Sequence, residues 1–192
     1  MIAEKWKDAF FRAVQHYENA SLFRQAAQDE SLSDGTNYLT GAVVQTCRDL
    51  GWQAAAKGHE LDLLPVPHCE YLTLDVVAFD ESEGGSWRFP VAMMELENSS
   101  DNERIAYSLW KVLCARSELR IVFCYRKLSN EASTLVNYLS RDVIRALPLE
   151  ERMKLSGETL VVVGSRSDSS AFPYGFFKWW RLDCNTGSFN VL

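Results

Sequence analysis

The stretch Phe89–Lys111, FPVAMMELENSSDNERIAYSLWK, runs from an apolar segment through two glutamates into an amphipathic pattern. Side chains of a β-strand alternate between its two faces, so we expect Glu95 and Glu97 to lie side by side at the end of the apolar run. Two like charges held close together repel each other, and burial adds a desolvation cost. A cation, a proton or open water is therefore expected beside them.

A helix and a buried strand are predicted directly after this acidic pair. Asp101 or Asn102 is suited to cap the helix, whose apolar residues, such as Ile105 and Leu109, recur on one face. Residues 119–125, LRIVFCY, are almost wholly apolar, which is typical of a strand in a sheet that is covered on both sides.

A β-hairpin is predicted upstream. Residues 70–80 alternate in polarity and are rich in β-branched and aromatic residues, residues 81–86 supply a loop, and residues 87–97 return as the partner strand. This pattern places Asp75 in the middle of a strand. With a turn near Gly84-Gly85, Asp75 pairs near position 94, so we expect the carboxylates of Asp75, Glu95 and Glu97 to converge.

The remaining segments complete an α/β pattern. We expect a helical segment broken near residues 19–21, a linker over residues 29–35, a helix capped by Thr36 and stopped by Gly51, a helix over residues 129–147, a strand over residues 158–165 and a terminal hairpin turning at residues 185–187. This order predicts a mixed β-sheet flanked by helices.

The length of the chain suits a single domain over residues 1–192. We divide this domain into an N-terminal helical addition over residues 1–30, a core over residues 36–127, and a helix, strand and hairpin over residues 128–192.

The composition narrows the cellular setting. A net charge of −6 argues against a protein that coats nucleic acid through bulk positive charge. The apolar runs are too short to span a membrane, and the N-terminus does not read as a signal peptide. Five cysteines without a CxxC pair are typical of buried thiols in a reducing compartment. We therefore predict a cytoplasmic protein with no membrane association.

The charges segregate along the chain. Residues 59–103 contain eleven acids and a single base, Arg88, whereas residues 104–127 contain six bases and a single acid, Glu118. This asymmetry would suit a cation site beside a phosphate-binding edge. Solvated surfaces that happen to segregate explain it equally well.

The order of elements resembles the PD-(D/E)XK nuclease superfamily, which has the restriction-endonuclease-like fold. The resemblance rests on Asp75 in the second strand, on Glu95-x-Glu97 at the end of the third, and on the helix and apolar strand that follow, and it covers residues 36–127. It implies a core of order α-β-β-β-α-β. It also implies that Asp75 and Glu95 bind Mg²⁺ or Mn²⁺, while Glu97 stands where lysine is usual.

Three features depart from the family pattern. The PD dipeptide is absent, since Leu74 precedes Asp75. The acid that the family often places on its first helix has no clear equivalent, with Gln45 and Asn37 as the nearest candidates. The missing lysine is supplied from the next helix in some members. Lys111 could act in this way, and Arg104 lies seven residues earlier on the same helix face.

Two functions from different classes remain open. The first is a metal-dependent nuclease, in which Asp75, Glu95, Glu97 and Lys111 are catalytic, Arg104 and Lys111 contact nucleic acid, and DNA is the expected partner. The second is a catalytically inactive nuclease-like fold that serves as a protein-interaction or regulatory module, which the acidic pI and the absent lysine favour. A homodimer or a protein partner also remains open.

Overall fold

The computed structural model describes residues 1–16, 20–28, 32–82 and 84–192. Its centre is a seven-stranded sheet in which the strands follow one another in chain order. The strands are β1 (Trp52–Ala56), β2 (Val76–Asp80), β3 (Ala92–Leu96), β4 (Leu119–Arg126), β5 (Glu158–Ser165), β6 (Phe177–Asp183) and β7 (Ser188–Val191).

The sheet is mixed. Strands β1, β2 and β3 are antiparallel, β3, β4 and β5 are parallel, and β5, β6 and β7 are again antiparallel. The carboxyl ends of β3, β4 and β5 therefore lie at the same end of the sheet. The predicted α/β class, a mixed sheet flanked by helices, is confirmed.

Six α-helices surround the sheet in the part of the chain that the structure describes. They are α1 (Ile2–His16), α2 (Ala20–Gln28), α3 (Leu32–Asp49), α4 (Asn102–Leu113), α5 (Glu131–Leu139) and α6 (Leu149–Met153). A helical turn of π type, Ser140–Ile144, continues α5.

The start of α3 differs from the prediction. The helix begins at Leu32, so residues 32–35 are not a linker and Thr36 is not its cap. Residues 29–31 lie outside the described residues. Of the predicted break at residues 19–21, residue 19 also lies outside them, whereas Ala20 and Ser21 belong to α2. Polar composition alone suggested a linker, but packing on the sheet outweighs the low helix propensity of Ser, Asp and Gly. The predicted stop is confirmed, because α3 ends at Asp49 and Gly51 has a φ of 76°.

One face of the sheet is covered by α1, α2 and α3. Trp6 and Phe10 of α1 stack at 5.3 Å between ring centroids, and Trp6 lies 6.0 Å from Trp179 of β6. Leu39 and Val43 of α3 are fully buried in the same cluster. The aromatic strand β6 thus packs against the N-terminal helix.

The opposite face is covered by α4 and α5. Ile105 and Leu109 of α4 pack with Leu135 of α5 over Met93 and Val122 of the sheet. Asp101 caps α4, as predicted, by accepting a hydrogen bond from Glu103 N at 2.9 Å. The helix that carries Lys111 is therefore fixed at its start and along its buried face.

Strands β2 and β3 are shorter than the sequence suggested. Residues 70–75 and 87–91 are not strand, so the two strands are joined by a long loop rather than a tight hairpin. Within it, Arg88 donates to the carbonyls of Asp80 and Gly85 at 3.3 and 2.8 Å. These bonds satisfy main-chain acceptors inside the loop, so the strand ladder need not continue through it.

Candidate functional site

A strained turn leads into β2. Tyr71–Thr73 form a short 3₁₀ turn in which Leu72 and Thr73 have φ values of 57° and 56°. This left-handed region is unfavourable for residues other than glycine, and most of all for a β-branched one such as Thr73. Tyr71 anchors the turn, because its hydroxyl donates to the carbonyls of Leu61 and Val66 at 3.0 and 2.8 Å.

The turn sets Asp75 against the end of β3. Val76 pairs with Met94, so Asp75 lies opposite Glu95, directly before β2 and not in the middle of a strand as predicted. The N–H of Leu96 donates to Asp75 Oδ2 at 2.7 Å. This side-chain bond replaces the next rung of the ladder and fixes the carboxylate beside β3.

Asp75, Glu95 and Glu97 lie on the face of the sheet that α4 covers. Strand alternation places Asp75 with Val77, and Glu95 with Met93, which are both buried beneath α4. Each carboxylate therefore points into the space between the sheet and this helix.

Glu95 is a buried acid, with 5% of its surface exposed. Burial raises the pKa of its carboxyl to about 7, and the negative charge of Asp75 acts in the same direction. Hydrogen bonds from Lys111 and Ser108 act in the opposite direction. Glu95 is thus an acid that exchanges its proton near neutral pH.

Lys111 reaches this acid from α4. Its Nζ lies 2.8 Å from Glu95 Oε1 and donates to the carbonyl of Thr73 at 2.9 Å. The ammonium thus joins β3, through the ion pair, to the strained turn, through a hydrogen bond. The structure brings Asp75, Glu95 and Lys111 to one place.

Glu97 is held separately from this group. Its Oε1 accepts from the N–H of Ser99 at 2.7 Å, and its Oε2 lies 3.4 Å from Ser108 Oγ. Ser108 also acts to lower the pKa of Glu95, but its hydroxyl has a single proton and so donates to one glutamate at a time. The sequence analysis missed Ser108, although its position three residues before Lys111 on a helix was a usable signal.

The predicted convergence of three carboxylates is found for two of them. Asp75 and Glu95 are neighbours, whereas Glu97 is bound by Ser99 and Ser108. Across residues 1–16, 20–28, 32–82 and 84–192, no three His, Cys, Asp or Glu side chains are arranged to hold a metal ion.

The donor chemistry around Asp75 and Glu95 nevertheless fits a hard divalent cation. Both side chains offer carboxylate oxygens, the ligands that Mg²⁺ prefers. The N–H of Leu96 faces β2, and the N–H and C=O of one strand residue point to the same side, so the carbonyl of Leu96 faces β2 as well. A cation bound there would compete with the Lys111 ammonium for Glu95.

Several other predicted residues lie elsewhere. Arg104 is exposed in the first turn of α4, about 10 Å along the helix axis from Lys111. Gln45 is half-buried and donates to Asp49 at 2.8 Å, and Asn37 is exposed. The α3 residue that meets the end of β3 is Thr36, whose hydroxyl accepts from Asn98 Nδ2 at 3.1 Å.

Part of the basic segment is structural. Arg120 is 2% exposed and donates to the carbonyls of Val112, Ala115 and Ser156 at distances from 2.6 to 3.2 Å. It closes the carboxyl end of α4 and is unavailable to phosphate. Arg116 lies 4.3 Å above the ring of Phe89, near the start of β4.

Comparisons of the chain with protein-family models, with curated proteins and with solved structures give no match. None of the described helices has the length and apolar character needed to cross a membrane.

Proposed function

We propose that this protein hydrolyses nucleic-acid phosphodiesters with the help of a divalent metal ion, on a restriction-endonuclease-like core. The observation that carries the proposal is the position of Lys111 Nζ, 2.8 Å from Glu95 Oε1, where Asp75 lies opposite Glu95. The family resemblance allows a lysine from the next helix to replace the one that Glu97 displaces.

The topology supports the same reading. Helix α3 precedes three antiparallel strands, α4 crosses over, and β4 returns parallel to β3. The order α-β-β-β-α-β that the resemblance implies is thus present between Leu32 and Arg126. The two acids and the lysine lie where β2 and β3 diverge.

Asp75 and Glu95, with the carbonyl of Leu96, would hold Mg²⁺ or Mn²⁺. A bound ion of this kind supplies Lewis-acid polarisation of the scissile phosphate. Lys111, once it releases Glu95, donates to a phosphate oxygen and stabilises the charge that develops there. Glu97, whose Oε2 lies 3.4 Å from Ser108 Oγ, would accept a proton from the attacking water.

Residues outside this group have supporting parts in the proposal. Arg104, exposed in the first turn of α4, is positioned to meet the phosphate backbone further along the strand, with DNA as the expected substrate. The cytoplasmic location and the homodimer or protein partner remain predictions.

The experiment is a cleavage assay on plasmid and single-stranded DNA with Mg²⁺ and with Mn²⁺. We expect Asp75→Asn, Glu95→Gln and Lys111→Met each to lower the rate by about 10²-fold or more. Glu151→Gln and Lys154→Met are matched controls, because these residues form an exposed ion pair at 2.7 Å. Equal rates for site and control variants would refute the proposal.

The catalytically inactive interaction module is the second candidate. It is favoured by the fact that Lys111 already neutralises Glu95 without a metal ion. In that case the ion pair serves to fasten α4 to the strained turn. This candidate predicts that Asp75→Asn does not change the effect of Mn²⁺ on the cleavage rate. The nuclease proposal predicts that Mn²⁺-dependent cleavage is lost.

A further inference from the structure

A polar cavity of about 360 Å³ lies at the edge where β3, β4 and β5 end. Ligands of open α/β sheets bind outside the carboxyl ends of the strands, where successive loops diverge. The cavity is lined by residues from the three strand ends and the segments that follow them, namely Asn98, Ser100, Tyr125, Arg126, Lys127 and Arg166.

The charge of the cavity opposes that of the chain. Three cations, Arg126, Lys127 and Arg166, face a single acid, Glu131, within the lining. The Oε2 of Glu131 is engaged by the N–H of Leu128 at 2.8 Å. On a chain with a net charge of −6, this concentration of positive charge selects an anion.

Two of the lining side chains are held in place by the fold. Arg126 donates to the carbonyl of Tyr125 at 2.9 Å and to Asn102 Oδ1, which leaves other guanidinium donors for a ligand. The ring of Tyr125 lies flat on β5, since a Cβ at Gly164 would come within 2.6 Å of its ring carbons. Donors fixed in this way lose little entropy on binding.

The Tyr125 hydroxyl supplies an independent indication of a ligand. It is buried, and in the part of the chain that the structure describes it has no hydrogen-bond partner. A buried hydroxyl without a partner carries a free-energy cost that a bound acceptor removes. Burial raises the pKa of Tyr125, and the nearby Arg166 acts in the opposite direction, so the hydroxyl keeps its proton and can donate it to an anionic oxygen.

The cavity lies next to Glu97, at the end of β3. Asn98, in its lining, directly follows Glu97, so the two Cα atoms are about 3.8 Å apart. Asn98 donates to Thr36 of α3, which covers the face of the sheet opposite to α4, so the two side chains lie on opposite sides of the strand end. A nucleic-acid strand crossing this end could therefore place one phosphate beside the acids and another in the cavity.

We propose that the cavity lined by Tyr125, Arg126, Lys127 and Arg166 binds a phosphate of the substrate strand, one or a few nucleotides from the phosphate that is cleaved. This inference rests on the proposed function and assigns a second contact to it. The shared chemistry is a phosphate ester, either an internal diester or a terminal monoester.

The test measures binding of a fluorescein-labelled single-stranded oligonucleotide by anisotropy in EDTA, so that cleavage plays no part. Lys127→Gln and Arg166→Gln remove lining charges, and each should weaken binding about tenfold and lower the salt slope by about one. Lys5→Gln is the matched control, because Lys5 is exposed near Ala3, whose N–H bonds to Glu158 at the opposite edge of the sheet. It should change affinity less than about twofold.

Oligonucleotides with a 5′-phosphate, a 3′-phosphate or hydroxyl ends identify the source of the phosphate. A preference for either phosphorylated end indicates a terminal monoester, and equal affinities that still depend on Lys127 and Arg166 indicate an internal diester. Both results support the cavity as a phosphate site.

Two results would overturn the inference. One is an affinity of the Lys127→Gln and Arg166→Gln proteins equal to that of Lys5→Gln, and the other is no binding by the unaltered protein. If Lys127→Gln and Arg166→Gln both leave metal-dependent cleavage unchanged, the phosphate site is contradicted while the proposed nuclease activity stands. If the oligonucleotide binds in a way that depends on Lys127 and Arg166 but no cleavage is detected, the nuclease proposal is contradicted while the phosphate site stands.

Discussion

At the scale of single residues, the Glu95–Lys111 pair determines the character of the site. A buried carboxylate loses hydration, and an ammonium at 2.8 Å recovers part of that loss. The remainder shows as a pKa raised to about 7. The pair is therefore only marginally stable as two charges, as the proposed exchange of lysine for a metal ion requires.

The raised pKa makes folding stability depend on pH. Between the ordinary value of 4.5 and about 7, the folded protein retains a proton on Glu95 that the unfolded chain has lost. The free energy of unfolding therefore falls as pH rises through this interval, by an amount on the order of 3 kcal/mol. Glu95→Gln should flatten this part of the profile, as measured by urea unfolding at several pH values.

The exposed acid of the α6 ion pair provides the comparison for this measurement. The side chain of Glu151 is 55% exposed, whereas Glu95 is buried. Glu151→Gln should retain the decline seen in the unaltered protein. A Glu95→Gln profile with the same slope would show that Glu95 does not titrate in this interval.

Removal of the lysine tests the other half of the pair. Lys111→Met leaves a buried carboxyl without its cation, so we expect a loss of about 1–3 kcal/mol in the free energy of unfolding at pH 8. The loss should be smaller at pH 5, where Glu95 is protonated. Lys154→Met, on an exposed pair, should cost less than about 0.5 kcal/mol, and similar losses for both variants would contradict the burial argument.

At the scale of elements, the turn before β2 contains strained residues, and it positions Asp75 and the carbonyl of Thr73. Leu72 and Thr73 both adopt positive φ, and Thr73 presents its carbonyl to Lys111. Thr73→Gly retains that carbonyl and removes the strain of a β-branched residue. We expect it to stabilise the protein by about 1 kcal/mol in urea unfolding.

A glycine at positive φ supplies the reciprocal change. Gly58 has a φ of 80° and no atom within 4 Å of a Cβ placed there. Gly58→Ala should therefore destabilise the protein by about 1 kcal/mol through backbone strain alone.

For the turn itself, a Thr73→Gly protein that is less stable than the unaltered one would show that the threonine side chain, and not its backbone, maintains the turn.

The elements nearest the acids were the most predictable from sequence. The spacing of Ile105 and Leu109 and the cap at Asp101 predicted α4, and the apolar run before Glu95 predicted β3, which ends at Leu96. The short β2 was not predictable, because the turn at Leu72 and Thr73 uses residues with no turn signature. The early start of α3 was missed because its first residues resemble a linker.

Long side chains limited the prediction of the site itself. Sequence spacing put Lys111 and Arg104 on one helix face, but only the packing of α4 over β3 shows that Lys111 reaches Glu95. Arg120 was counted with the surface bases, yet it is buried against main-chain carbonyls. A long charged side chain can be buried where several main-chain carbonyls are close together. The order of charges along the sequence does not show where this happens.

At the scale of the whole molecule, two charge clusters meet at one end of the sheet. The acids lie on the side covered by α4, and the cations surround the cavity beyond β4 and β5. This arrangement explains how an acidic protein could engage a polyanion locally. Binding should therefore weaken as the salt concentration rises, with a shallow dependence because few phosphate contacts are available.

The most direct test of the central claim is calorimetric titration with Mn²⁺ at pH 8 and at pH 6. We predict one site whose affinity rises about tenfold from pH 6 to pH 8, as Glu95 loses its proton. Asp75→Asn should weaken binding at least about tenfold, whereas Asp62→Asn, at an exposed acid, should leave it unchanged. Absence of Mn²⁺ binding, or equal binding by both variants, would contradict a metal site between Asp75 and Glu95.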